Sequence, residues 1–246
     1  MKQYPLLLLI LLLWNTPIFA ANLMVTPTKV DINPKHKSVA LKIMNRQNKA
    51  VKLQVFIKAW SQDENGKTLL GKSSGLIIYP KLLTIEAQGE RPVRVAYQGT
   101  WPNTEQAFRL FIDELPPKNT KQGIGVVMPV HLSIPVFLKN NSTSGKPSLN
   151  IFKLEKTPRY LKIGIHNTGK QHFRINQLQA QLFDKRGKAL DTLSKAGWYV
   201  LPDGHVFFSL PWKQKICKKA RRAKVALTIQ NQTTTHALSL SGKDCQ

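Results

Sequence analysis

The sequence predicts an all-β chain built as two antiparallel sandwiches. Short runs of alternating apolar residues recur from Asn22 to Leu240, turn signals separate them at even spacing, and no convincing amphipathic helix interrupts them. The rhythm pauses once, at Asn140 to Lys146 before Pro147, and then restarts. The expected division is therefore a leader over 1–20, a first domain over 21–140, a linker over 141–147 and a second domain over 148–246.

Taken in order, Met1 to Ala20 reads as a cleaved secretory signal. Lys2 supplies the positive start, Leu6 to Trp14 the apolar centre, and Ile18-Phe19-Ala20-Ala21 the small-residue cleavage site. The apolar run is too short to span a bilayer comfortably. Leu23 to Ile32 is a strand interrupted by Pro27, with a turn at Asn33-Pro34-Lys35. Ser38 to Asn45 alternates Val39, Leu41 and Ile43 against Ala40, Lys42 and Met44, and Val51, Leu53, Val55 and Ile57 repeat the pattern. Asp63 to Lys67 is a hairpin signal. Leu76 to Tyr79, Leu82 to Ile85, Pro92 to Tyr97 and Ala107 to Leu115 complete the approach to the most informative stretch. In the second half, strands are expected over Leu149 to Leu154, Tyr160 to Asn167, Phe173 to Phe183, Trp198 to Leu201, Val206 to Leu210, Lys224 to Gln230 and His236 to Leu240.

That informative stretch is Ile124 to Lys139. Every even position is apolar, including Val126, Met128, Val130, Leu132 and Ile134, which predicts a long strand with one greasy face. Pro129 and Pro135 each lack a ladder donor and favour an edge position. Two readings follow: an ordinary core strand, or a long apolar edge that invites another chain to pair with it.

The formal charge of +24 is accounted for mostly by a solvated basic surface, with a partner that has an acidic surface or a free carboxylate left open. Export argues against nucleic acid, and no zinc-finger or RNA-reading motif accompanies the scattered lysines. Cys217 and Cys245 most simply form one disulfide in an oxidising compartment, stapling the C-terminal part. No Gly-x-Ser-x-Gly, phosphate loop or His-Glu-x-x-His is present, so an enzyme, a cofactor, a metal and a small-molecule substrate are all unexpected. Asp113 and Glu114 are adjacent on a strand, so their carboxylates point to opposite faces. His131 is expected to be solvated or hydrogen-bonded rather than a ligand. Arg109, between Phe108 and Leu110, is either a surface residue on the polar face or a cleft residue whose natural partner is a carboxylate.

Phe108-Arg109-Leu110-Phe111-Ile112-Asp113-Glu114-Leu115-Pro116-Pro117, followed by Ser133-Ile134-Pro135-Val136-Phe137, resembles the periplasmic pilus chaperones, and in particular the archaic branch of the chaperone–usher pathway. The resemblance implies two immunoglobulin-like domains in an L-shaped arrangement, pilus subunits and an outer-membrane usher as partners, and no ATP. It implies that the last strand of the first domain completes an unfinished subunit, with Val126, Met128, Val130, Leu132 and Ile134 as donor residues. Four such side chains, fully buried, give a gross term of about 6–12 kcal/mol before ordering costs. It further implies that basic residues hold the subunit's C-terminal carboxylate. Arg109 is assigned as the main anchor and Lys29 as the second, because the usual lysine of the donor strand falls at Pro135. Lys139 is expected to pair with Asp203 across the domain junction. The alternative reading is a structural pilus subunit or adhesin. Against it, the donor-like strand is internal, and Leu23 to Ile32 runs straight into a domain.

Overall fold

A computed structural model describes residues 23–116, 129–140 and 148–240, together with Cys245. The first sandwich contains β1 (Leu23–Thr26), β2 (Val30–Ile32), β3 (Ser38–Asn45), β4 (Val51–Gln62) and β5 (Thr68–Lys72). It continues with β6 (Leu76–Tyr79), β7 (Leu82–Ile85), β8 (Glu90–Tyr97), β9 (Gln106–Glu114) and β10 (His131–Leu138). One sheet has the order β1-β3-β8-β6; the other runs β2-β10-β9-β4-β5, with β7 sharing the outer side of β4. The chain changes sheet between β1 and β2 at Pro27, and between β6 and β7 at Pro80. Proline lacks the N–H that would continue the ladder, so it suits both corners. For the same reason the single N-terminal strand expected from the sequence divides into two.

Between the sheets, Leu41, Ile43, Val93 and Val95 meet Leu53, Val55, Leu110 and Ile112. These are the alternate residues whose period-two pattern marked the strands, so the hydrophobic pattern sets the register. Asn45 is the polar exception. Its side-chain amide donates to the carbonyls of Lys49, Ile85 and Glu86, fixing the turn end of β3.

The second sandwich follows with β11 (Leu149–Lys156), β12 (Tyr160–Asn167), β13 (Phe173–Phe183), β14 (Ala189–Ala196), β15 (Tyr199–Val200) and β16 (His205–Pro211). A short helix α1 (Gln214–Lys219) precedes β17 (Arg222–Ile229) and β18 (Gln232–Ser239). One sheet is β11-β12-β16 and the other β14-β13-β17-β18, with β15 beside β13. The sequence showed no sign of α1, whose six residues are too few for an amphipathic period to register. Cys217 on α1 is bonded to Cys245, as expected, and both are buried.

The sandwiches share a small apolar cluster: Trp60, Ala107 and Phe137 from the first, Leu201 and Tyr199 from the second. Polar side chains lock its rim. The Gln62 amide donates to the Tyr199 carbonyl at 2.9 Å, and its Oε1 accepts from the Leu201 N–H at 2.9 Å. Glu105 Oε1 accepts from both the backbone and the Nδ1 of His172, at 2.8 and 2.6 Å. The His172 ring lies flat on Phe137.

The disulfide closes a loop with a sequence separation of 28, for which chain-entropy arguments give about 3–4 kcal/mol. Replacing both cysteines by serine is expected to speed hydrogen exchange in β17 and β18 while leaving β3 and β8 unchanged. Unchanged exchange in β17 would show that the staple adds no stability.

Candidate functional site

The functional geometry is set by β10. On one side it pairs antiparallel with β9 from His131↔Asp113 to Leu138↔Gln106. The contact reaches Val130, whose carbonyl accepts from the Glu114 N–H at 2.8 Å and whose N–H donates to Glu114 Oε2 at 3.2 Å. On the other side β2 covers only Val136 to Leu138, in parallel register. Among the described residues, the part of β10 before Val136 therefore has no strand on that flank. Pro135 sits at the point where β2 takes over, the edge position its missing N–H favours.

The register sorts the side chains of β10 into two rows. Leu132, Ile134 and Val136 lie opposite Ile112, Leu110 and Phe108 and point toward the core of the first sandwich. Ser133, Pro135 and Phe137 lie opposite Phe111, Arg109 and Ala107 on the outer face. Ile134 is only 6% exposed. In the unbound chain this side chain is packed into its own core, so among the five expected donor residues it offers little surface to a partner. Leu132 is half-buried against the same core and Val130 is half-buried beside it, so both retain surface to offer. Val126 and Met128 lie outside the described residues. The His131 ring lies against the Asp113 carboxylate and is more than half exposed, the solvated position expected of it.

One row along from Phe137, Arg109 occupies the angle between the two sandwiches. Its guanidinium carbon lies 3.8 Å from the Trp60 ring centroid and 5.5 Å from that of Trp198, which belongs to the second sandwich. Cation–π attraction holds the fork in place while leaving its N–H donors available. Among the described residues no carboxylate forms a salt bridge with it. Burial depresses its pKa below the usual arginine value, and the Tyr199 phenol partly offsets that. A half-buried cation held in one orientation is stabilised by any anion that approaches its free donors. Trp60 adds a buried indole N–H with no acceptor.

Lys29 stands differently. Its ammonium pairs with Asp31 at 2.8 Å, and Asp31 also takes Lys139 at 3.0 Å. Lys139 therefore does not bridge to Asp203, whose Oδ1 instead meets His166 Nε2 at 3.0 Å. The reason is topological: the parallel pairing sets Asp31 beside Phe137, two residues from Lys139. Burial raises the Asp31 pKa, but the two ammonium groups outweigh it and hold the carboxyl below its ordinary value. Two cations and one anion leave this corner net positive, one row from Arg109. Trp60 and Trp198 were not singled out from the sequence, where Trp198 reads as an ordinary strand residue. Their role appears only when two distant segments meet over Arg109.

A strand with half its edge open, adjoining a cleft with an unpaired arginine, now has a family to belong to. The profile of the pili and flagellar-assembly chaperones, PapD N-terminal domain, matches residues 22–143. The chain belongs to this family. It is a family of chaperones, not of enzymes. Solved structures extend the likeness to both sandwiches. CsuC, from the chaperone–tip adhesion subunit pre-assembly complex of the archaic chaperone-usher Csu pili of Acinetobacter baumannii, is 21% identical with a TM-score of 0.62, over 89% of this chain and 98% of that one. The CupB2 chaperone of Pseudomonas aeruginosa is 17% identical with a TM-score of 0.53, covering 88% and 100%. The Salmonella enterica SafB chaperone, solved in complex with SafA pilin, is 15% identical with a TM-score of 0.56, covering 89% and 98%. At these identities the likeness establishes the fold, all-β with two immunoglobulin-like sandwiches. No curated protein matches the chain.

The Asp31 pair gives a pH signature at the cleft. A carboxyl whose folded pKa is depressed contributes stability above its unfolded pKa of about 3.9 and loses it as pH falls through the folded value. Asp31→Asn is therefore expected to lower the melting temperature by a constant margin from neutral pH to about pH 4, with the gap closing below that. A gap that stays constant through the acid range would contradict this account of the Lys29–Asp31–Lys139 cluster.

Proposed function

We propose that this protein is a periplasmic chaperone of an archaic chaperone–usher pathway, exported by a signal over residues 1–20 that is cleaved after Ala20. It binds pilus subunits by donor-strand complementation and hands them to an outer-membrane usher. The observation that carries the reading is the open flank of β10 before Val136. An incomplete immunoglobulin-like subunit lacks one strand; the edge of β10 supplies backbone hydrogen bonds, at about 1 kcal/mol net each. Val130 and Leu132 supply apolar side chains from the sandwich end outward. Sequence alternation continues the series through Met128 and Val126. CsuC and SafB, solved in complex with a tip adhesion subunit and a pilin, are chaperones of the kind proposed here.

Arg109 receives the C-terminal carboxylate of the subunit, and Lys29, beside the net positive Asp31 corner, is the second cation. A free carboxylate is the one anion that every unmodified polypeptide carries at a fixed place. Binding it at Arg109 sets the register in which the subunit lies along β10. Release needs no nucleotide, because completion by the next subunit's own extension exchanges one strand for another. The alternative of a structural subunit or adhesin fits poorly, since the open strand is internal to the chain, between the strands of the first sandwich and those of the second.

Co-purification with a cognate pilin tests this reading. Leu132→Asp is expected to abolish capture, because a carboxylate would enter the subunit's apolar groove. Arg109→Ala is expected to weaken affinity by roughly ten- to a hundredfold, the cost of leaving a charged hydrogen bond unmade. Full capture by Leu132→Asp would remove the donor-strand assignment, and unchanged affinity in Arg109→Ala would remove the anchor.

A further inference from the structure

Arg109 and Lys29 account for only a small part of the +24 charge, and a further group of cations gathers at one end of the second sandwich. α1 carries Lys215, Lys218 and Lys219, with Lys213 at its N-cap, all exposed. Lys215 faces Lys218 and Lys219 at the i+3 and i+4 spacings, where like charges destabilise a helix. Lys213 opposes the positive end of the helix dipole. No acidic residue lies in the first turn, and none follows on the helix. The helix is held nevertheless, because Cys217 ties it to Cys245 and its last carbonyls are satisfied from outside. Lys156 Nζ donates to the Ala220 carbonyl at 3.2 Å, and Arg221 Nη1 donates to the Lys218 and Ala220 carbonyls at 2.9 and 3.0 Å.

Three further elements converge there. The turn joining β13 and β14 exposes Lys185, Arg186 and Lys188, and the Arg221 N–H donates to the Phe183 carbonyl at its base. Arg222 begins β17 opposite Phe183, with its Nη2 3.0 Å from where a side chain on Gly187 would start. The turn from β11 to β12 presents Arg159, and that turn is fastened beside α1 through Trp212 Nε1, which donates to the Thr157 carbonyl at 2.8 Å. Asp184 lies in the middle of this surface, but its Oδ1 is engaged by the amides of Arg186 and Lys188. Among the described residues, none of the exposed cations named here is in a salt bridge.

We propose that this basic pole is a docking surface for an anionic phospholipid bilayer. The cations come from separate turns and one helix, so they form a broad face rather than a groove. Among the described residues no exposed large hydrophobic side chain lies among them; those of the second sandwich, Phe152 and Trp198, are on other elements. A protein partner would need an apolar or aromatic centre, and lysine is depleted at such interfaces. A lysine-rich face without aromatic platforms also lacks what single-stranded nucleic acid uses for stacking. A dense plane of phosphates asks only for charge, and each lysine or arginine near it adds to the attraction. The pole is built independently of the β10 edge, so the two surfaces are separable by mutation.

Flotation with lipid vesicles tests the proposal, using protein purified from periplasm. Binding is expected to vesicles containing phosphatidylglycerol, to be absent with phosphatidylcholine alone, and to fall steeply with salt. The triple change Lys215→Glu, Lys218→Glu, Lys219→Glu is expected to weaken binding by more than roughly tenfold. Reversing the β13–β14 turn instead (Lys185→Glu, Arg186→Glu, Lys188→Glu) should do the same without touching the helix. The equal reversal in the first sandwich, Lys35→Glu, Lys37→Glu, Lys49→Glu, should leave binding within about twofold of the unmodified protein. No binding to phosphatidylglycerol vesicles, or equal loss from reversals in either sandwich, would overturn the assignment of a specific pole.

Discussion

The structure depends on an asymmetry in one strand. β10 is held to β9 along its whole length but to β2 through only its last three residues. Antiparallel pairing with β9 makes the strand rigid and fixes which side chains face inward. The short parallel contact seals the part nearest the second sandwich, and among the described residues no strand covers the rest of that flank. Exposed strand edges ordinarily lead to aggregation, and proteins suppress them. Here the flank is bounded by Pro135 at one end and by His131 beside Asp113 at the other, polar and ladder-breaking groups of the kind that limit indiscriminate strand pairing.

The outer row of the same strand builds the cleft. Phe137 is buried between Trp60, Tyr199 and His172, which fixes the angle between the sandwiches. One row away, Arg109 inherits that rigidity through its contacts with Trp60 and Trp198. A guanidinium held this way keeps its fork oriented and loses little entropy on meeting an anion. The contact between the sandwiches and the setting of Arg109 are thus one piece of packing, and the edge of β10 leads directly into it.

Much of this was legible in the sequence, for identifiable reasons. β12 and β13 coincide with the alternating runs Tyr160 to Asn167 and Phe173 to Phe183. β14 was missed because Ala189 to Ala196 is largely exposed and polar, so burial leaves no pattern in it. Ile134 was grouped with the donor residues because alternation runs unbroken from Ile124 to Leu138. Where a strand passes from its own core into open edge is set by β2, a partner a hundred residues away, and no local pattern encodes it. The misplaced Lys139–Asp203 pair has the same origin, since the sheet brought Asp31 nearer. Arg109 was legible as a cation within an apolar strand, but the two tryptophans that position it were not.

The claim that binding occurs by completing the open flank of β10 is tested most directly by hydrogen exchange of residues 130–135, measured free and with a cognate pilin bound. The account predicts strong added protection of these amides in the complex, with little change in β3 and β8 on the opposite sheet. A stable complex in which residues 130–135 exchange as fast as in the free protein would contradict it.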